Sequence, residues 1–227
     1  YRSKYSCDST LITYGHDESF RDLAGKKLEG VTEFPEFSSN ADISRLGIEF
    51  GKYFLYVSRL EPENNAHVVI ENYAKLPPEV RSKIPLVIVG KAPYSDDYQQ
   101  SLKELAVEGV IFAGGLYGDT YRLLQLGAFS YIQATEVGGT HPALVEAMGF
   151  ANCVIAYGTP ENIEVLGSCG LIYQEKSQLI DLMEKVIEDS SLRSQMRGAA
   201  FSRAKQTYSW DKIVQDYINM FRETLDK

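Results

Sequence analysis

The chain holds 227 residues, 44% of them hydrophobic and 24% charged, with a formal net charge of −8. That balance belongs to a soluble globular protein with room for one large domain, or one domain plus an appendage. The acidic excess argues against nucleic acid as a partner, because phosphate neutralisation needs a basic surface. No apolar run approaches the ~20 residues that cross a bilayer.

In chain order, Ser9 to Tyr14 (STLITY) is a candidate strand, and Gly25 to Ala41, rich in Phe, Pro and Ser, reads as a loop. From about residue 50 strand-like and helix-like segments alternate. Tyr53 to Ser58, Pro85 to Val89, Val110 to Ala113, Phe129 to Gln133, Asn152 to Ala156 and Gly170 to Tyr173 are short, apolar and β-prone. Asn65 to Lys75, Asp97 to Ala106, Thr120 to Leu126 and Pro142 to Met148 are helical in composition and fall between the first five of these runs. The connections are long enough to cross over, which predicts an α/β fold with a doubly wound parallel sheet. Ser177 to Asp189, Ser191 to Gln206 and Trp210 to Leu225 are then expected as three amphipathic helices, with Ser209 capping the last and Trp210 and Tyr217 on its apolar side. Cys7, Cys153 and Cys169 are an odd number without metal-ligand spacing, which fits a reducing, cytosolic setting with Cys153 in the core. The chain starts at Tyr1 rather than methionine, so we expect a piece of a longer protein.

In such a sheet, ligands bind beyond the carboxyl ends of the strands. The exit after Gln133 carries the strongest signal, with Gly138-Gly139-Thr140-His141 leading into a helix that starts at Pro142. Two glycines let a ligand approach the backbone, and the free N–H groups of a helix start favour an anion. Glu146 lies one turn into that helix, where a carboxylate can accept hydrogen bonds from sugar hydroxyls. An ordinary βαβ unit with a tight turn would show the same spacing. At the first exit Arg59 is either a diphosphate clamp or a surface arginine paired with Glu61 or Glu63. The second exit offers Gly90 and Lys91; the third offers Gly114, Gly115, Leu116 and Tyr117, an aromatic face for a base or simply packing. His141 is the one histidine at these exits, and no His/Cys/carboxylate cluster, nucleophile elbow or Walker-type loop is present. What remains is a binding half-site.

Several segments resemble a known family. YVSRLEPENN around Arg59, LVIVGK at Leu86 to Lys91, IFAGGLY at Ile111 to Tyr117 and GGTHPALVEAM at Gly138 to Met148 are similar to family 4 glycosyltransferases. Asn162-Ile163-Glu164-Val165 and the tail TYSWDKIVQDYINMF point to the rhamnosyltransferase-type branch, and the similarity spans about residues 50 to 225.

The resemblance implies the donor-binding, C-terminal domain of a GT-B enzyme, with a Rossmann-like sheet and helices on both faces. Such an enzyme moves a sugar from a nucleoside diphosphate to an acceptor, with retention at the anomeric carbon, in glycan or polysaccharide synthesis. It implies no metal and no cofactor beyond the nucleotide-sugar donor. Glu136 and Arg59 would be the catalytic positions, Glu136 facing the donor sugar and Arg59 the diphosphate. Glu146 would hold the ribose, and Gly138, Gly139, Thr140, His141, Lys91, Leu116 and Tyr117 would complete the donor site. Two departures stand out. Nine residues separate Glu136 from Glu146, more than in the family motif, and Asn64 replaces the lysine that follows the arginine. Residues 1–50 are expected as a linker or remnant of an N-terminal domain, 51–208 as the donor domain, and 209–227 as a helix packing back toward the N-terminal segment. The acceptor glycan or lipid-linked sugar would sit in the missing N-terminal domain. A cytoplasmic place, with peripheral association of the full-length protein at the inner membrane face, goes with that. A GT-B-type nucleotide-sugar epimerase and a non-catalytic binding or assembly module are the alternatives.

Overall fold

The computed structural model describes residues 10–225. Six parallel strands form one sheet in the order β3-β2-β1-β4-β5-β6: β1 (Phe54–Val57), β2 (Leu86–Val89), β3 (Val110–Gly114), β4 (Ser130–Gln133), β5 (Val154–Tyr157) and β6 (Leu171–Tyr173). Every pairing is parallel, with Phe54 opposite Leu86 on one side and Ser130 on the other. Parallel strands covered on both faces read as unbroken apolar runs, which is why YFLYV and PLVIV were legible as strands.

Alternate residues divide the core in two. Leu55, Val87, Tyr131 and Val154 point to one face, and Phe54, Tyr56, Ile88 and Ile155 to the other, all of them 1% exposed or less. The first face is covered by α1 (Arg21–Leu28), α2 (Pro35–Ser38), α3 (Ala41–Leu46), α7 (Gly118–Gly127), α8 (Pro142–Gly149), α9 (Pro160–Leu166) and α11 (Ser190–Thr207). The second is covered by α4 (Ala66–Tyr73), α6 (Asp96–Leu105) and α10 (Leu179–Glu188), with α5 (Pro78–Arg81) as a single turn before β2. Each fully buried Leu, Ile, Val or Phe contributes about 1.5–3 kcal/mol, so the two faces together dominate stability. The last helix, α12 (Trp210–Leu225), starts where Ser209 Oγ accepts from Lys212 N at 3.4 Å, as its sequence predicts.

Two expectations need correction. Thr10 to Tyr14 form no strand, and Ser9 lies outside the described residues. The sheet's open edges are β3 and β6, whereas this segment borders a hollow with Trp210 and Tyr217, away from either edge. The expected loop from Gly25 to Ala41 is about half helical: it holds the end of α1, then α2 and the start of α3, and it contributes Phe34 and Phe37 to the core. The short helices α5 and α9 were not anticipated.

Candidate functional site

The chain runs outward from β1 to β3, then returns to β4 and runs outward the other way to β6. Between β1 and β4 the direction of winding reverses, and the loops leaving these neighbours diverge to leave a crevice at the carboxyl edge. A cavity of 270 Å³ occupies that position. Its walls include Ser58 and Arg59 after β1, Lys91 after β2, Leu116 and Tyr117 after β3, and His141 before α8. Gln133 and Thr135 form its floor at the end of β4. Among the described residues Arg59 and Lys91 line it and no carboxylate does, in a chain whose formal net charge is −8.

The backbone around the cleft is tightly specified. Gly90 has φ +152°, and a Cβ there would stand 1.8 Å from the Ser58 carbonyl oxygen, so only glycine lets the exits of β1 and β2 approach this closely. Gly114 and Gly115 leave room for the Lys91 stem, whose Cε and Cδ lie 3.4 Å from where their Cβ atoms would be. Asn64 is buried and donates to the Arg59 carbonyl at 2.8 Å. Asn65, in the left-handed region at φ 59°, donates to the Ala134 carbonyl at 2.9 Å. On the far side, Asn162 donates to the carbonyls of Thr135 at 3.3 Å and Tyr157 at 3.0 Å. The asparagines of PENN and N-x-E-V therefore tie three exit loops together. Asn64, in particular, fixes the backbone that carries Arg59.

Five of the sequence-predicted residues meet in the cleft: Arg59, Lys91, Leu116, Tyr117 and His141. Arg59 is 74% exposed and lies 3.4 Å from Glu61, the surface pairing expected as one of its two situations, while also lining the cleft. Tyr117 is 84% exposed and offers an open ring face. His141 packs its ring over Gly138, where a Cβ would lie 2.6 Å from Cε1. Burial lowers the His141 pKa, against a smaller upward pull from Glu161. Gly139 is exposed at the turn, and Thr140 borders a separate hollow with Tyr14 and Trp210.

The two glutamates lie outside the cleft lining, in different surroundings. Glu146 Oε2 accepts from the Tyr121 hydroxyl at 2.5 Å, and Gln125 Nε2 donates to the same hydroxyl oxygen at 3.0 Å. Burial raises the Glu146 pKa above the usual carboxylate value, partly offset by the Tyr121 hydrogen bond. Glu136 Oε1 pairs with Lys176 Nζ at 2.5 Å, and Lys176 also donates to Asn65 Oδ1 at 3.0 Å. That lysine is the main reason the Glu136 pKa is lowered. Sequence reasoning missed Ser58, Gln133, Thr135, Tyr121 and Lys176. Gln133 and Thr135 carried a signal, because they continue the alternation of Tyr131 past the end of β4; Lys176 carried none. Among the described residues no group of three or more His, Cys, Asp or Glu is placed to hold a metal ion, and no helix is long and apolar enough to cross a membrane.

A 3-2-1-4-5-6 parallel sheet with a cationic, glycine-edged crevice at its switch point defines the Rossmann-like class of nucleotide-binding domains. Comparison with known proteins agrees. Residues 39–203 match the model of the family described as glycosyl transferases group 1, and the chain belongs to that family. It is 26% identical over 176 residues to the O-antigen chain mannosyltransferase B of Escherichia coli, covering 75% of this chain and 45% of that protein. It is 30% identical over 119 residues to an alpha-monoglucosyldiacylglycerol synthase of Streptococcus pneumoniae, covering 52% of this chain and 27% of that one. The fold is that of Anabaena HepE, solved in complex with UDP, with a TM-score of 0.77 at 20% identity, covering 94% of this chain and 57% of that one. The chain spans about half the length of the curated mannosyltransferase it matches.

Proposed function

We propose that this chain is the donor-binding half of a glycosyltransferase acting in glycan or polysaccharide synthesis, and that its cleft holds the nucleoside diphosphate of a sugar donor. The observation that carries the proposal is the crevice between β1 and β4, lined beside the start of α8 by Lys91 and by Arg59, the latter backed by Glu61 at 3.4 Å. As the bond from the anomeric carbon to the diphosphate breaks, negative charge collects on the departing phosphate, and cations already in place stabilise it. Gly138 to His141 and the first amides of α8 add the helix-start contribution. Tyr117 offers its ring to the base. Tyr121 engages only Oε2 of Glu146, which leaves Oε1 for ribose hydroxyls. Glu136, held by Lys176, faces the donor sugar. UDP and UDP-glucose bound to the structurally similar HepE support a donor of this class. The mannosyltransferase relatives favour a hexosyl over a rhamnosyl donor.

Retention at the anomeric carbon and independence from metal belong to the same proposal, as does an acceptor held by an N-terminal half. So does the division at residue 208, with the exposed apolar side chains of α12, Trp210, Val214 and Phe221, as a surface meeting other protein; the division at residue 50 has no such support, because Ala24, Phe34, Phe37 and Ile43 pack into the core of the sheet's first face. Calorimetry with UDP, GDP and dTDP tests the cleft directly. Each hydrogen bond to a charged group contributes about 1.5–3 kcal/mol, so Arg59→Ala and Lys91→Ala should each weaken the best nucleotide about ten- to a hundredfold. Unchanged affinity in both variants would remove the cleft as the donor site.

A further inference from the structure

A second cavity, of 520 Å³, lies at the opposite, amino edge of the sheet. It sits under the segments leading into β1 and β4, between the end of α1 and the first half of α11. Among the described residues four cations line it, Lys27, Lys52, Arg193 and Arg197, and no carboxylate does. Lys27 is 7% exposed and donates to the Phe150 carbonyl at 3.2 Å and Asn152 Oδ1 at 2.8 Å. Arg197 donates from Nη2 to the Phe129 carbonyl at 2.8 Å, while its buried Nε has no hydrogen-bond partner. Arg193 donates to the Val186 carbonyl, and its guanidinium carbon lies 4.3 Å from the centre of the Phe129 ring. Two carboxylates lie near the edge of this group, and both are engaged. Asp189 accepts from Leu192 N at 2.8 Å, and Glu49 accepts from Lys52 at 2.7 Å.

The carbonyls hold Lys27, Arg193 and Arg197 in position but supply no counter-charge, whereas Lys52 at the rim is paired with Glu49. Burial, with Arg193 next, lowers Arg197 to about 10, and burial with the Arg197 charge puts Lys27 well below its ordinary value. Like charges out of water repel strongly, and an unpaired buried cation is costly. We propose that this cavity is an anion site for a small phosphomonoester, separate from the donor cleft. A phosphomonoester brings about −1.5 to −2 charges and three acceptor oxygens, which can meet several of the lining cations together. A carboxylate brings a single charge. Val31 and Phe50, also in the lining, give apolar walls for the organic part of the ester.

The test is calorimetric titration of the 227-residue chain with inorganic phosphate, in a background of Arg59→Ala and Lys91→Ala that removes the cleft. Lys27 is unsuitable as a probe because Asn152, which it holds, is linked through Gln125 and Tyr121 to Glu146. Lys52 is 58% exposed at the rim, so Lys52→Glu reverses a charge without opening the core. The background variant should bind one phosphate, and Arg193→Gln or Lys52→Glu added to it should weaken that binding at least tenfold. No phosphate binding in the background variant, or unchanged affinity in Lys52→Glu, overturns the proposal. Flotation with phosphatidylcholine vesicles, with and without phosphatidic acid, assigns the source. Flotation that needs phosphatidic acid and is lost in Lys52→Glu identifies a lipid headgroup, and phosphate binding without flotation identifies a free ester.

Discussion

Arg59, at the carboxyl edge of the sheet, leaves 74% of its side chain exposed and shares Glu61 at 3.4 Å. Lys27, at the amino edge, is 7% exposed and is fixed by Phe150 and Asn152. An exposed cation stays solvated, adds little to stability and is free to meet a ligand. A buried one carries a desolvation cost of several kcal/mol and repays part of it by holding loops together. At the carboxyl edge the order resides in the backbone, through Gly90 and the asparagines, and the charged side chains stay loose. At the amino edge the charged side chains themselves are the structure.

The largest expected effect tests the claim that the carboxyl edge is specified by backbone. Gly90→Ala forces a Cβ to within 1.8 Å of the Ser58 carbonyl, at a φ that side chains rarely adopt. We expect a loss of about 4 kcal/mol or more in guanidinium unfolding, or failure to fold. A loss under about 1 kcal/mol would mean that the exits of β1 and β2 are plastic, and the contrast between the edges would fall.

The contrast also explains what the sequence could reveal. Strands such as Leu86–Val89 were legible because both faces are buried and every residue is apolar. The exits were legible as a consequence, since a parallel sheet dictates where its loops converge. The amino edge was not, because α1 places Lys27 where a helical pattern demands an apolar residue and carries a glycine at its centre. PENIEVL at α9 is too short for periodicity to register. The partners of the two glutamates escaped for another reason: Lys176 is 40 residues from Glu136 in sequence, and the chain must return through β5 and β6 before they meet.

Lys27 gives the next prediction. Its folded pKa is lowered, so the unfolded chain binds the extra proton between that value and 10.5. Stability should then rise with pH across that interval, by up to about 1.4 kcal/mol per pH unit, and Lys27→Met should abolish the slope. Urea midpoints measured from neutrality to pH 10 check this, and a flat profile in the parent chain would remove the buried charge from the comparison. Glu146 has the opposite sign. Its folded pKa is raised, so the native state binds the proton more readily and stability falls as pH climbs from 4.5 through the folded value. Glu146→Gln should therefore be more stable than the parent at neutral pH while weakening nucleotide binding. A variant that is both less stable and equally able to bind would show that Glu146 serves packing alone.

The smallest effect belongs to the pair at the exit of β4. Glu136 and Lys176 are 35% and 43% exposed, so solvent screens them and their contribution to stability should stay below about 1 kcal/mol. The Glu136 pKa is lowered, chiefly by the Lys176 hydrogen bond. What the pair contributes is present above 4.5 and lost as pH falls through the folded value. Lys176→Met should flatten that acid limb in urea melts and leave neutral stability almost unchanged. The informative readout is binding. Glu136 lies outside the cleft lining but next to the floor residue Thr135, so an effect confined to sugar-bearing donors fits its proposed position better than one on the nucleotide. Lys176→Met should weaken UDP-glucose relative to UDP by a few-fold. Equal loss for both would place the pair with Asn65, as part of the backbone scaffold, and the carboxyl edge would then hold at least one charged side chain for structure rather than for ligand.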